Sequence, residues 1–340
     1  MGLSPESAEL FATYFHWTLL ALPAIMCEQV VGAALRAAGD TISVMVAMIA
    51  MNVVNLLVSY GLVTGYGPFP ELGWRGIAIG TATGYYVGAL VMLIRLYFGP
   101  SGLRVGFRTA WTYDDARRLL KVGIPGGIDI LTLIGCQLLF VRLINGLGTT
   151  ATAAHGIAIR VESLSYLPAF AFQIAATTMV GQFLGARRPD LAKRSVWIAC
   201  AIGEAFVIVC ASLLFHFSDR LTALFFQDGA NPEVAALAAR VLRVVCVVQP
   251  GLVILMILTG ALRGAGDTRW PLLNTLVGFL VIRIPLGYVL AYRGIDIPGL
   301  IVFAPLGLLG AWYAMAIDLC FRTALITLRF RGGRWSRIVV

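Results

Sequence analysis

Charge is scarce in this sequence. Only 13% of its 340 residues are Asp, Glu, Lys or Arg, against about 25% in soluble domains. Histidine is rarer still: His16, His155 and His216 lie far apart, with no HExxH or HxxxD pattern, so a zincin-type centre is excluded. The six cysteines are scattered through apolar runs and none forms a CxxC pair. They read as small buried hydrophobes, not as disulfides or metal ligands. No Walker A loop occurs, which argues against ATP coupling within this chain. No nucleophile–base pattern stands out, so no enzyme and no cofactor are expected. Strict apolar/polar alternation is missing too, which removes a membrane β-barrel.

What is present is apolar sequence. Hydrophobic residues make up 59% of the chain, and they come in long runs at roughly 9–35, 42–64, 75–98, 119–143, 152–182, 193–217, 233–262, 269–291 and 302–328. About 20 residues suffice for a helix to cross the ~30 Å of bilayer hydrocarbon. The expected fold class is an all-α integral membrane protein with nine transmembrane helices.

The formal net charge of +9 raises the question of a nucleic-acid partner, and the placement of the charges answers it. Nine crossings alternate the loops between two sides. One side collects seventeen Lys and Arg, including Arg36, Arg104, Arg108, Arg263 and Arg337. The other has Arg75, Arg142, Arg220 and Arg293. The positive-inside rule puts the seventeen in the cytoplasm, so no nucleic acid is needed to explain them. The C-terminus is then cytoplasmic and, with an odd number of crossings, the N-terminus is outside. Residues 1–8 lack the basic start of a signal peptide. A missing upstream segment is therefore expected.

An internal repeat leads to the same expectation. Leu35-Arg36-Ala37-Ala38-Gly39-Asp40-Thr41 recurs 227 residues later as Leu262-Arg263-Gly264-Ala265-Gly266-Asp267-Thr268. Pro23 matches Pro250 at the same offset, and Gly73 and Gly76 match Gly307 and Gly310 at an offset of 234. Helices one to three thus repeat as helices seven to nine, in parallel. Helices four to six have no partner, so three more helices, on the order of 100 residues, are expected upstream. The organisation becomes a partial N-lobe at 1–98, a cytoplasmic linker at 99–118, a six-helix C-lobe at 119–330 and a basic tail at 331–340.

Charge within the apolar runs is the remaining signal, since it costs about 2.5–3.5 kcal/mol at bilayer depth and usually faces a cavity or a partner. Asp318 and Arg322 are four apart and are expected to pair. Arg160 and Glu162 are two apart and do not face each other. Glu28 and Arg283 also lie within apolar runs, and Glu204 has no evident local partner. Asp129 follows Gly123-Ile124-Pro125-Gly126-Gly127-Ile128, with Lys121 as the only basic residue near it in sequence. A lone carboxylate beside small residues and a proline suggests a cavity wall, and an unpaired carboxylate there can take a proton or a cation. Gly76, Gly80, Gly84 and Gly88 form a four-residue ladder, which usually means close helix packing. Asn55 and Ser59 share a helix face, and with Thr81 they offer neutral oxygens to a small ion or polar glue between helices. Arg36, Asp40, Arg263 and Asp267 belong to the two repeated heptapeptides. These read as structural turns, with Gly for the turn and Asp or Thr to cap the next helix.

The two LRxAGDT segments, residues 153–168 and the Ala175-Ala176-Thr177-Thr178-Met179-Val180-Gly181-Gln182 stretch resemble the MATE (multidrug and toxic compound extrusion) family across essentially the whole chain. The resemblance implies a two-lobe bundle of twelve helices, here lacking the first three of the N-lobe. It implies an antiporter in the bacterial inner membrane that exports small, amphipathic, cationic molecules in exchange for H⁺ or Na⁺, with the lipid bilayer as its other partner. It places Asp129 where the family's seventh helix carries an acid, and Asn55 and Thr81 in the first-lobe cation site. Ser59 stands where many members have Asp or Asn, and the stretch 251–260 lacks an acid that some members carry. A proton-coupled role centred on Asp129 is therefore expected. The rivals are a lipid-linked oligosaccharide flippase, for which Arg283 is the candidate phosphate contact, and a non-transporting membrane remnant.

Overall fold

A computed structural model describes residues 5–99, 102–103, 112–225, 231–297 and 301–337. Arg104 and Arg108 of the 99–118 segment, and residues 338–340 of the basic tail, lie outside the described residues. Among the described residues, nine helical spans are long and apolar enough to cross a membrane. Seven of them are single helices: α1 (Pro5–Ala37), α2 (Thr41–Thr64), α3 (Arg75–Phe98), α4 (Tyr113–Asn145), α5 (Thr149–Gly185), α6 (Pro189–His216) and, after the short α7 (Ser218–Ala223), α8 (Pro232–Gly264). The eighth span, Arg269–Arg293, runs through α9 (Arg269–Leu276), a π-helical stretch Val277–Arg283, α10 (Ile284–Tyr288) and a second π stretch Val289–Arg293. The ninth is α11 (Leu308–Arg331). Pro285 has no N–H to give the carbonyl of Val281 and crowds it, and the wider π turns on either side accommodate it.

Three boundaries differ from the apolar count. Helix α4 starts at Tyr113, inside the stretch assigned to the linker, because Thr112 caps it by accepting from the Asp115 N–H at 3.3 Å. A polar, capped first turn is invisible to a hydrophobicity count. The last run does not begin as helix: β2 (Ile301–Phe303) pairs antiparallel with β1 (Ile295–Ile297), Asp296 opposite Val302. The run Ile301-Val302-Phe303 favours a strand, and Pro305 delays the helix to Leu308. Helix α7, with Asp219 and Arg220 in six residues, was too short and too polar to register.

The chain divides into two compact units, Met1–Ala110 and Trp111–Val340. In the first, α2 and α3 pack along the glycine ladder. A Cβ on Gly76 would meet Leu62 Cβ at 2.6 Å, on Gly80 the Ser59 backbone N at 2.7 Å, on Gly84 Asn55 Cβ at 3.0 Å and on Gly88 Met51 Cβ at 3.1 Å. The expected packing role of the ladder is what the structure contains. In the second unit α5 and α8 approach as closely. Cβ atoms on Gly260 and Gly264 would lie 2.8 Å from Gln173 Cγ and 2.9 Å from Thr177 Cα, and Thr177 Oγ1 donates to the Gly260 carbonyl at 2.9 Å. Its core gathers Phe140, Val161, Leu242, Ile257, Trp312 and Phe330. Large apolar side chains such as Leu56, Leu131 and Val247 are about 70% exposed (68%, 70% and 72%), a surface suited to lipid rather than water.

The repeated heptapeptides fold alike. In each, the glycine takes positive φ (Gly39 89°, Gly266 80°). Its N–H donates to the arginine carbonyl (Gly39 to Arg36 2.9 Å, Gly266 to Arg263 3.0 Å). The aspartate N–H donates to the leucine carbonyl at 2.9 Å in both copies. This is a Schellman turn. The match extends to Gly73 and Gly307, with φ of 56° and 58°. Like Gly76, Gly310 abuts the preceding span: its Cβ would lie 2.9 Å from the Ala291 N.

Candidate ion-coupling site

Helix α4 passes Pro125 and carries Asp129 one turn later, 1% exposed. Cβ atoms on Gly123, Gly126 and Gly127 would meet no described atom within 4 Å. This backbone lines open space, unlike the glycines of α3. The Asp129 carboxylate is not lone, however. Arg263 of α8 donates Nη2 to its Oδ2 in an ion pair. This corrects the expectation of an unpaired acid. The partner lies 134 residues away in sequence, beyond any local window.

Asp318 of α11, fully buried, accepts from Arg283 at 2.7–2.8 Å and has Arg322 at 3.7 Å. The expected Asp318–Arg322 pair exists, but the shorter bonds come from Arg283. Gly278 in the π stretch admits both side chains, since a Cβ there would lie 2.6 Å from Arg322 Cγ. The Phe279 ring has the Arg283 guanidinium at 4.1 Å and that of Arg322 at 5.2 Å, two cation–π contacts. Arg283, the candidate phosphate contact, is thus already engaged.

Glu162 on α5 and Gln249 on α8 form a third group. The Gln249 amide donates to Ser165 Oγ at 2.8 Å and reaches Glu162 Oε1 at 3.5 Å. Arg160 is exposed on another face of α5, as the two-residue spacing requires. The acids and arginines of this unit thus meet in two groups, Asp318 with Arg283 and Arg322, and Asp129 with Arg263. Pairing of acid with arginine is how such groups are tolerated away from water. Sequence reasoning took Arg263 for a turn residue and passed over Gln249, two residues before the stretch inspected for an acid.

In the first unit, Asn55 Nδ2 donates to Thr81 Oγ1 at 3.2 Å, and Thr81 donates on to the Ile77 carbonyl at 2.8 Å. Ser59 lies in the α2–α3 seam against Gly80, its Oγ without a hydrogen-bond partner among the described residues. Asn55, Thr81 and Ser59 thus sit together along one seam. The motif aspartates divide their work. Asp40 caps α2 by accepting from the Ser43 N–H at 3.0 Å. Asp267 instead accepts from Arg329 of α11 at 2.7 and 2.9 Å, so the second copy is a clamp rather than a cap. Among the described residues no group of three or more His, Cys, Asp and Glu is placed to hold a metal ion.

The MatE family model matches residues 1–61 and 125–289. The chain is similar to the probable multidrug resistance protein NorM of Thermotoga maritima, 30% identical over 312 residues, which are 92% of this chain and 64% of that protein. It is also similar to the multidrug resistance protein NorM of Aliivibrio fischeri, 26% identical over 332 residues, or 97% of this chain and 70% of that protein. The chain therefore spans about two thirds of the length of these relatives. Among solved structures, MATE in the bent conformation superimposes with a TM-score of 0.84 at 20% identity, over 98% of this chain and 70% of that one. A MOP superfamily transporter from Pyrococcus furiosus, whose binding pocket is described as having reverse polarity, gives 0.88 at 20% identity, over 98% and 71%. At that identity these likenesses show the fold.

Proposed function

The chain belongs to the MatE family, and from that premise we propose that it serves a secondary antiporter exporting small, amphipathic, cationic molecules in exchange for H⁺ or Na⁺. The observation that carries the reading is Asp129, a carboxylate 1% exposed on a membrane-length helix beside glycines that line open space. Such a group holds one positive charge at a time. If the proton and the cationic solute exclude each other there, inward movement of one is tied to outward movement of the other.

The proton is the favoured coupling ion. In the first unit, the Asn55, Ser59 and Thr81 patch supplies neutral oxygens but no carboxylate to balance the charge of a sodium ion. Asn55, Ser59 and Thr81 serve as an accessory polar patch. Residues 1–98 and 119–330 act as lobes joined by 99–118, in the bacterial inner membrane, with the tail 331–340 in the cytoplasm. The flippase reading is weaker, because Arg283 is held by Asp318 at 2.7 Å.

The test is efflux of a fluorescent organic cation in everted membrane vesicles, driven in turn by a pH gradient and by a sodium gradient. Asp129→Asn is expected to abolish the pH-driven component. Unchanged pH-driven efflux in that variant rejects Asp129 as the coupling group, and efflux driven by sodium alone replaces the proton with Na⁺.

A further inference from the structure

We propose that Arg263 is the resident counter-cation of the Asp129 carboxylate, and that proton or cationic solute binds there by displacing it one for one. The inference rests on the reading of Asp129 as the coupling group and adds what occupies that group between transport events.

The geometry of the pair is unequal. The Asp129 side chain is 2% exposed and that of Arg263 31%. Arginine keeps its charge at any physiological pH, so it cannot leave by giving up a proton. It can leave by swinging its guanidinium further into the space its side chain already reaches, 31% exposed. The carboxylate has no such exit. When it takes a proton, the proton goes to a carboxylate oxygen, the acid becomes neutral and Arg263 is released to solvent, leaving no stranded charge in that pair. When it takes a cationic solute, the solute occupies the position of the guanidinium and the charge balance is kept. Either occupant carries the single positive charge that Arg263 supplied.

The other charges of the unit do not substitute for Arg263. Arg322 of α11 is held by Asp318 at 3.7 Å. Arg283 of the eighth span is bound to Asp318 at 2.7 Å and Glu162 of α5 is held by Gln249. Lys121 on α4 and Arg269 at the start of α9 are exposed, as is Tyr288 of α10.

Displacement also has a mechanical consequence. Arg263 belongs to the Schellman turn that ends α8, and Asp267 of the same turn is held by Arg329 of α11. The turn is thus tied to α4 through Arg263 and to α11 through Asp267, and occupation of Asp129 releases only the α4 tie. In the first copy of the motif the aspartate, Asp40, caps its own following helix.

The test is binding and transport of tetraphenylphosphonium by the full chain at fixed pH. Arg263→Gln is expected to tighten binding of the probe about tenfold and to lower its KM while turnover falls, because the competitor is gone and release is no longer assisted. A side chain with a merely structural role gives weaker binding or none. Arg263→Lys, a shorter single-point partner, is expected to fall between wild type and Arg263→Gln, and it decides the matter if Arg263→Gln is recovered poorly. Loss of transport in Asp129→Asn combined with wild-type probe affinity in both Arg263 variants overturns the counter-cation and leaves the coupling carboxylate standing. Unchanged transport in Asp129→Asn removes the carboxylate itself, and the inference with it.

Discussion

A buried ion pair is far costlier to break than to bury whole, since removing one member strands the other away from water. Asp318 is the sharpest case, with no exposure and two arginines upon it. Asp318→Asn is expected to cost about 3–5 kcal/mol, read as a fall in Tm in detergent. Arg188→Gln, which breaks the Asp190 pair where both side chains are more than half exposed (57% and 64%), is expected to leave Tm unchanged. A Tm loss of equal size in both variants rejects the interior ion pairs as a structural element. Part of this pairing was legible in the sequence. The i,i+4 spacing announces Asp318–Arg322. Arg283 and Arg263 reach their acids from other helices, 35 and 134 residues away, and no periodicity reports such a meeting.

At the scale of the element, glycines on two helices serve different ends. On α3 the glycines admit another backbone, and on α4 they line open space. Gly80→Ala puts a Cβ 2.7 Å from the Ser59 backbone N and 2.9 Å from its Cα. Backbone cannot rotate away, so a loss of about 1–3 kcal/mol is expected. Gly126→Ala meets nothing and is expected to be neutral or stabilising by up to about 1 kcal/mol through helix propensity. Thermal unfolding of the two variants in one detergent checks the contrast, and equal stability would mean that α2 and α3 are not in contact as described. The ladder was readable because its period matches one helix face. The π stretches around Pro285 and the β1–β2 hairpin were not, because an apolar count is indifferent to the backbone an apolar residue adopts.

For the molecule as a whole, the seventeen-to-four division of basic residues fixes an expected orientation. In a variant whose six cysteines are replaced by serine, Ser336→Cys is expected to react with a membrane-impermeant maleimide in everted vesicles only, and Asn231→Cys in intact cells only. The opposite pattern inverts the topology. The duplication was the most legible feature at this scale, since two heptapeptides 227 residues apart in the sequence proved to share the positive-φ glycine and both hydrogen bonds of a Schellman turn. Their side-chain roles were hidden, because cap and clamp are chosen by neighbours. One letter separates the copies, Ala37 in the first and Gly264 in the second. Ala37 is exposed, whereas Gly264 lies against Thr177 of α5 with no room for a methyl group. The two segments are therefore interchangeable in one direction only. The second copy's glycine can be transplanted into the first at the modest entropic penalty of a helical glycine, but the first copy's alanine has no place in the second. The turn itself is common to both copies, and the position without a methyl group marks the copy that packs against α5.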